Sequence, residues 1–110
     1  LKHPEKYLEM QKIMNPFLVK GTGFDIDALG ADFFSEFADK NKMDLLFGIE
    51  ASFLAENDIE NINKKISDYI KAGLAVNGSF TLYFNDIPAD IDPEKLKAIF
   101  NHIRNTRSFN

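Results

Sequence analysis

The chain has 110 residues, and its longest apolar runs fall far short of the roughly eighteen residues that a membrane span requires. This length and composition predict one soluble globular domain over residues 1–110 and argue against a membrane protein. A net charge of −4 and the lack of a Lys/Arg stripe argue against nucleic-acid binding. Zero cysteines exclude disulfides and thiolate chemistry and are compatible with the cytoplasm.

The amino-terminal part predicts a helix, a strand and a second helix. Pro4 stands in the first turn of a helix that reaches Met14, and the apolar run 17–21 predicts a short strand. Two glycines make residues 21–25 a loop of unusual backbone angles. Asp27 is then the N-cap of a helix that extends to about residue 41. The chain begins without an initiator Met or a signal-peptide core, so we expect part of a larger chain to precede it.

The remaining sequence repeats the strand-helix order twice. Residues 43–49 are apolar enough to predict a strand covered on both faces, and Asp58 opens an amphipathic helix that ends at Gly73. Residues 79–84 form the third strand, and Asp92-Pro93 begins the last helix. The predicted fold class is therefore α/β, with three parallel strand-helix units after an N-terminal helix. Such a small sheet has two unpaired edges, so we expect a larger sheet or barrel, or a homo-oligomer.

Polar residues follow each predicted strand, and the carboxyl ends of parallel strands share one rim. Glu50 and Asp86 are the candidate catalytic carboxylates, since a carboxylate in a desolvated pocket can act as a general base. The candidate substrate-binding residues at this rim are Gly21, Thr22, Gly23, Asp25 and Asn85. Structural roles compete with each assignment: a tight turn for the glycines, helix capping or solvation for Glu50, and a local turn for Asn85 and Asp86. His3 and His102 are interpreted as surface residues, and no metal-ligand spacing is present.

Three stretches, taken together, resemble a known family. They are Leu46-Phe47-Gly48-Ile49-Glu50 with Phe53 to Asp58 after it, the helix end Tyr69 to Gly73, and Ile87-Pro88 leading to Pro93-Glu94-Lys95-Leu96. Over residues 17–104 this order is similar to the closing portion of the uroporphyrinogen decarboxylase-like superfamily, which includes corrinoid-dependent methyltransferases. Lys95 stands where Asn is usual in that family.

The resemblance implies the last three units of a (β/α)₈ barrel of about 250 residues or more. It further implies methyl transfer with a corrinoid protein as partner, and a chain that is inactive alone. The family's methyltransferases have a zinc-binding Cys after the last strand, and its decarboxylases have a His near that point. This chain has Asn85-Asp86 there, so neither chemistry transfers intact, and Glu50 or Asp86 could bind a metal only with further ligands from elsewhere.

Two other kinds of function stay open on sequence grounds. One is a noncatalytic α/β binding or assembly module that self-associates through its sheet edges. The other is a small enzyme that uses the carboxylates at the rim as acid and base. The basic residues Lys95, Lys97, Arg104 and Arg107 are interpreted as a solvated helix face.

Overall fold

The fold alternates helices and strands along the chain. It is seen in a computed structural model that describes residues 4–84 and 86–107. The elements are α1 (Pro4–Met14), β1 (Leu18–Thr22), α2 (Gly23–Leu29), α3 (Ala31–Lys40), β2 (Asp44–Ile49), α4 (Ala51–Glu56), α5 (Ile59–Leu74), β3 (Phe80–Phe84) and α6 (Pro93–Arg107). In the described part of the chain, every helix is too short or too polar to cross a membrane.

The three strands form one parallel sheet in the order β1-β2-β3. Leu18 lies opposite Asp44 in the first ladder, and Leu45 lies opposite Phe80 in the second. Neighbours in the sheet are therefore consecutive in the chain, and each pair is connected by helices. The prediction of an α/β fold with parallel strands is confirmed.

One face of the sheet carries the hydrophobic core. Val19, Leu45 and Phe47 are fully buried on this face. The Phe47 ring lies 6.0 Å from the ring of Phe34 in α3 and 5.2 Å from the ring of Tyr69 in α5, both edge-on. Because alternate residues of a strand point to the same side, these contacts place α3 and α5 over the same face.

The opposite face, here called the open face, is formed by Leu18, Lys20, Thr22, Asp44, Leu46, Gly48, Thr81 and Tyr83. Lys20, Asp44 and Thr81 are exposed, while Leu46 and Tyr83 are half-buried. The prediction that residues 43–49 are covered on both faces is therefore wrong for the described residues, since helices cover only one. Sheets made only of parallel strands are normally buried on both faces.

The outer edge of β1 is closed by a side chain of α1. The Gln11 side-chain amide donates to the Lys20 carbonyl and accepts from the Lys20 N–H, each at 3.0 Å. The Phe17 carbonyl accepts the Asp44 N–H, so Phe17 and every second residue after it bond to β2. Lys20 lies between those positions, and its backbone groups therefore point away from β2. Gln11 thus takes the place of a further strand at the centre of this edge.

No described residue gives the outer edge of β3 such a cover. The Ser79 carbonyl accepts from the Leu45 N–H at 2.8 Å, so Thr81 and Tyr83 continue the ladder to β2. The N–H and carbonyl groups of Phe80, Leu82 and Phe84 point outward, and no described residue bonds to them. These three residues are called the free edge below.

Several predicted boundaries differ from the structure around Gly30. The helix predicted from Asp27 to residue 41 is two helices, α2 and α3, because Gly30 takes a φ of 95° that residues with a Cβ rarely adopt. The loop predicted at 21–25 is absent, since β1 runs to Thr22 and α2 begins at Gly23. Asp27 lies inside α2 and is not its N-cap. The short helix α4 had no counterpart among the predicted elements.

The later helix starts agree with the sequence. Asp58 caps α5 by accepting the Asn61 N–H at 2.9 Å, and α6 begins at Pro93. The prediction of a solvated basic face on α6 holds for Lys97 but is wrong for Lys95. The Lys95 ammonium donates to the carbonyls of Leu54 and Asn57, each at 2.7 Å, and so binds the end of α4.

Candidate functional site

Glu50 and Gly23 meet at the carboxyl ends of β1 and β2. The Gly23 N–H, at the first residue of α2, donates to Glu50 Oε1 at 3.0 Å. A Cβ at Gly23 would overlap the Glu50 carboxylate, so only glycine permits this approach. The half-buried carboxylate of Glu50 therefore fastens the start of α2 to the end of β2.

Gly21 and Thr22 lie within β1. Gly21 is buried on the helix-covered face, where an added Cβ would come within 2.9 Å of Ile26 and 3.2 Å of Phe34. Its lack of a side chain thus allows α2 and α3 to pack closely on the strand. Thr22 belongs to the open face, pairs with Gly48 in the register and is half-buried.

Asp25 and Asp86 have separate local partners. The Tyr7 hydroxyl of α1 donates to Asp25 Oδ2 at 3.0 Å, and burial together with this carboxylate raises the pKa of Tyr7. Asp86 is exposed and accepts the N–H of Ile87 at 2.9 Å. Asn85 lies outside the described residues. Of the predicted site residues, the structure joins Gly23 to Glu50 by a hydrogen bond.

A polar cluster that has no counterpart among the predicted site residues lies between three helices. It consists of Asp27 from α2, Phe53 from α4, and Lys65 and Tyr69 from α5, and is called the Lys65 cluster below. Lys65 Nζ donates to Asp27 Oδ2 at 2.6 Å and lies 4.2 Å from the Phe53 ring centroid and 5.4 Å from that of Tyr69. Only 11% of the Lys65 side chain is exposed.

Tyr69 completes this cluster as a protonated phenol. Its hydroxyl donates to Asp27 Oδ1 at 3.3 Å and accepts from Lys65 Nζ at 3.4 Å. Burial raises the pKa of Tyr69 most, and the nearby carboxylates of Asp27 and Glu50 raise it further. The ammonium is surrounded by one carboxylate and two ring faces, so the arrangement holds α2, α4 and α5 together.

A signal for this cluster existed in the sequence. Lys65 precedes Tyr69 by four residues, so the two lie one above the other on α5. What the sequence could not supply was Asp27, which is 38 residues from Lys65 along the chain.

An apolar groove runs between β3, α5 and α6. It has a volume of about 610 Å³ and is lined by Ile70, Gly73, Leu74, Val76, Gly78, Phe80, Thr81, Leu82, Phe84, Phe100 and Ile103. Leu74 and Phe100 beside it remain 57% and 42% exposed. This groove, called the β3 groove below, borders the free edge.

The described residues offer no metal centre. Across 4–84 and 86–107, no three or more His, Asp or Glu side chains are grouped so that they could hold an ion. His102 is half-buried, and its Nε2 lies 2.7 Å from the Ser67 hydroxyl of α5, so it packs between helices instead of lying on the surface as predicted. His3 lies outside the described residues.

Comparisons with known proteins do not place the chain in a family: no family model, no curated protein and no solved structure matches it.

Proposed function

We propose that this chain is the carboxyl-terminal sector of a uroporphyrinogen decarboxylase-like (β/α)₈ barrel, of the corrinoid-dependent methyl-transfer type, that works in the cytoplasm. The observation that carries the proposal is the sheet: its strands follow chain order, and in the described part of the chain helices cover only one of its faces. The sequence resemblance over residues 17–104 supplies the family.

Strand order separates a barrel sector from the other common parallel fold. In a doubly wound sheet the strand order reverses at a switch point, and helices cover both faces. In a (β/α)₈ barrel each strand lies beside the next one in the chain, the helices form an outer ring, and the other face lines the interior. The open face, with Leu18, Leu46 and Tyr83 half-buried, corresponds to such an interior.

Under this proposal the rim carries the active site. Barrel enzymes use the carboxyl ends of their strands, which here bear Glu50 and Asp86. Glu50 would act beside Gly23, and the methyl-carrying corrinoid would arrive with its own partner protein. Because Asn85-Asp86 stands in place of the family's Cys or His, other strands of the barrel must provide any metal ligands. Alone, the sector would be inactive.

The test begins with the native protein. An antibody raised against this chain should capture a polypeptide of about 250 residues or more, as a barrel requires. With methylcobalamin and a thiol added, the captured protein should move the methyl group from cobalt to the thiolate sulfur and leave cob(I)alamin, followed by its visible spectrum, and Glu50→Gln should lower the rate while the exposed Glu60→Gln does not. A native polypeptide of 12.5 kDa, or a full-length protein without this transfer, would contradict the proposal.

A second candidate function is favoured by a different observation, the free edge of β3. This is a noncatalytic assembly module that self-associates through that edge. In a barrel the edge would be occupied by another strand of the same protein, so the two functions exclude each other there. Light scattering on the 110-residue chain tests this candidate, since it predicts a mass that rises with concentration, and a monomer at every concentration would contradict it.

A further inference from the structure

We propose that two copies of this chain pair through β3, antiparallel and centred on Leu82, to form one continuous six-stranded sheet. This inference rests on the second proposed function and specifies its interface, symmetry and register. It is drawn from the contrast between the two edges of the sheet, the pattern of side chains along β3, and the absence of charge there.

The two edges of the sheet differ in how they are blocked. At β1, the Gln11 amide occupies the outward backbone groups of Lys20, and the Lys20 side chain adds a charge. Proteins commonly block exposed strands with charges, proline, bulges or a covering segment. The sequence of β3, Phe-Thr-Leu-Tyr-Phe, contains no charged residue and no proline, and its register with β2 is unbroken.

Symmetry selects a second copy as the occupant. A two-fold axis at Leu82 places Leu82 opposite itself and Phe80 opposite Phe84 of the partner subunit. In each of these pairs, both residues direct their N–H and carbonyl groups outward, as an antiparallel hydrogen-bonded pair requires. The free edge is thereby satisfied along its whole length by the same edge of the other copy.

The side chains suit this pairing. Phe80, Leu82 and Phe84 share the helix-covered face with Leu45 and Ile49, because they lie opposite those strand positions in the register. The same three side chains from the partner would stand beside them and close the open side of the β3 groove. The exposed Leu74 and Phe100 border this region, and each Å² of apolar surface removed from water contributes about 25 cal/mol.

Charge does not oppose the approach. No charged residue occurs between Lys71 and Asp86, although the chain as a whole carries a net charge of −4. In the proposed register, Asp86 falls opposite the partner's Gly78, so no two acidic residues are paired directly across the strands, while the Asp44 carboxylate lies beside Gly78 and accepts the Ser79 N–H. Pairing of like charges across strands, which would be destabilising, is thus avoided.

Cysteine cross-linking tests the register, since the chain has no cysteine of its own. Thr81 would lie opposite Tyr83 of the partner in a pair without hydrogen bonds, where Cα atoms are about 4.5 Å apart and a disulfide can form. We expect a mixture of Thr81→Cys and Tyr83→Cys chains to cross-link under mild oxidation. Neither variant alone should do so, because identical positions lie more than about 7 Å apart.

The outcomes separate the register from self-association itself. If light scattering shows a dimer but Thr81→Cys links to itself, the proposed register is overturned while the assembly function stands. If the chain is a monomer and no mixture cross-links, both are overturned.

A charge placed on the edge provides an independent check of the interface. Thr81→Lys should abolish the dimer, whereas Ser52→Lys at an exposed position of α4 should not, with folding of both variants verified by circular dichroism. A dimer that persists in Thr81→Lys would overturn the β3 interface.

Discussion

A single lysine side chain joins three helices. Only 11% of the Lys65 side chain is exposed, and the Asp27 carboxylate and the two aromatic rings lie around its ammonium where water would otherwise bind. Asp27 is 59% exposed and remains partly hydrated. Lys65 therefore needs its ion-pair partner more than Asp27 does. Removing Asp27 should cost more stability than removing the charge of Lys65.

The first prediction follows from this inequality. Asp27→Ala leaves the Lys65 ammonium without its carboxylate, and we expect a loss of about 1–3 kcal/mol in the free energy of unfolding. Lys65→Met removes the charge but keeps the length of the side chain, and Asp27 can be hydrated, so we expect a loss below about 1 kcal/mol. Urea denaturation of both variants provides the measurement, and an equal loss in the two would contradict the interpretation.

Tyr69 makes the stability depend on alkaline pH. The unfolded chain releases this phenolic proton near pH 10, whereas burial and Asp27 hold the proton in the folded chain because they raise the pKa. Above about pH 10 the folded state thus binds more protons than the unfolded state, and stability falls as pH rises. Tyr69→Phe should reduce the fall in unfolding free energy between about pH 9 and about pH 11. Phe53→Leu, which keeps the phenol, should retain the wild-type fall, and an unchanged fall in Tyr69→Phe would contradict this account.

At the scale of single residues, the sequence identified positions better than partners. Glu50 was expected after β2, and it is there, but its hydrogen bond to the Gly23 N–H depends on how two strands align. Asp27 was assigned to a helix cap, a local role, because its actual partner Lys65 is distant in the chain. Local chemistry can be predicted from a sequence, whereas long-range pairing of polar groups cannot be predicted without the fold.

At the scale of elements, α5 approaches β3 closely at Gly73. A Cβ on Gly73 would overlap the Phe80 ring, so the helix can lie against the strand only where it lacks a side chain. This ring also contacts Phe47, with centroids 5.6 Å apart, and so links the helix to the central strand. The close approach of α5 to β3 thus depends on this glycine.

Gly73→Ala should therefore push α5 away from β3. The cost of this displacement should exceed the usual gain in helix propensity that alanine brings. We expect a loss of about 1–3 kcal/mol in unfolding free energy, measured by chemical denaturation. Adding Phe80→Leu to Gly73→Ala should recover part of this loss because leucine is smaller and can move aside. Gly30→Ala is the matched control, since no atom lies within 4 Å there and its cost comes from the φ of 95° alone. Its loss should not respond to Phe80→Leu.

The elements with strong periodicity were predicted well. α5 has an apolar stripe and the capping residue Asp58, and β2 has a continuous apolar run, so both were located to within a residue or two. The break at Gly30 was missed because the apolar spacing continues across it, and only the backbone angle shows the interruption. α4 was missed because six residues are too few for a periodic pattern.

Over residues 4–84 and 86–107, the protein is a two-layer structure with one sheet face and one sheet edge left open. Its shortest dimension is 18 Å, close to the thickness of a sheet with a single layer of helices. The burial of Phe47 and the exposure of Thr81 show the same difference between the faces. The two proposed functions differ in what completes the sheet. The backbone amides of the two edge strands report whether each edge is covered.

Amide hydrogen exchange should show opposite behaviour at the two edges. The Lys20 amide lies on an outer edge but donates to Gln11, so it should be protected, whereas the Leu82 amide of a monomer should exchange freely. Gln11→Ala should speed exchange at Lys20 by about threefold to tenfold, the worth of one hydrogen bond. Gln11→Glu should retain part of the protection because its carboxylate can still accept the Lys20 N–H. If Lys20 stays protected in Gln11→Ala, then the side chain does not close the edge, and the asymmetry between β1 and β3 on which the dimer depends would be lost.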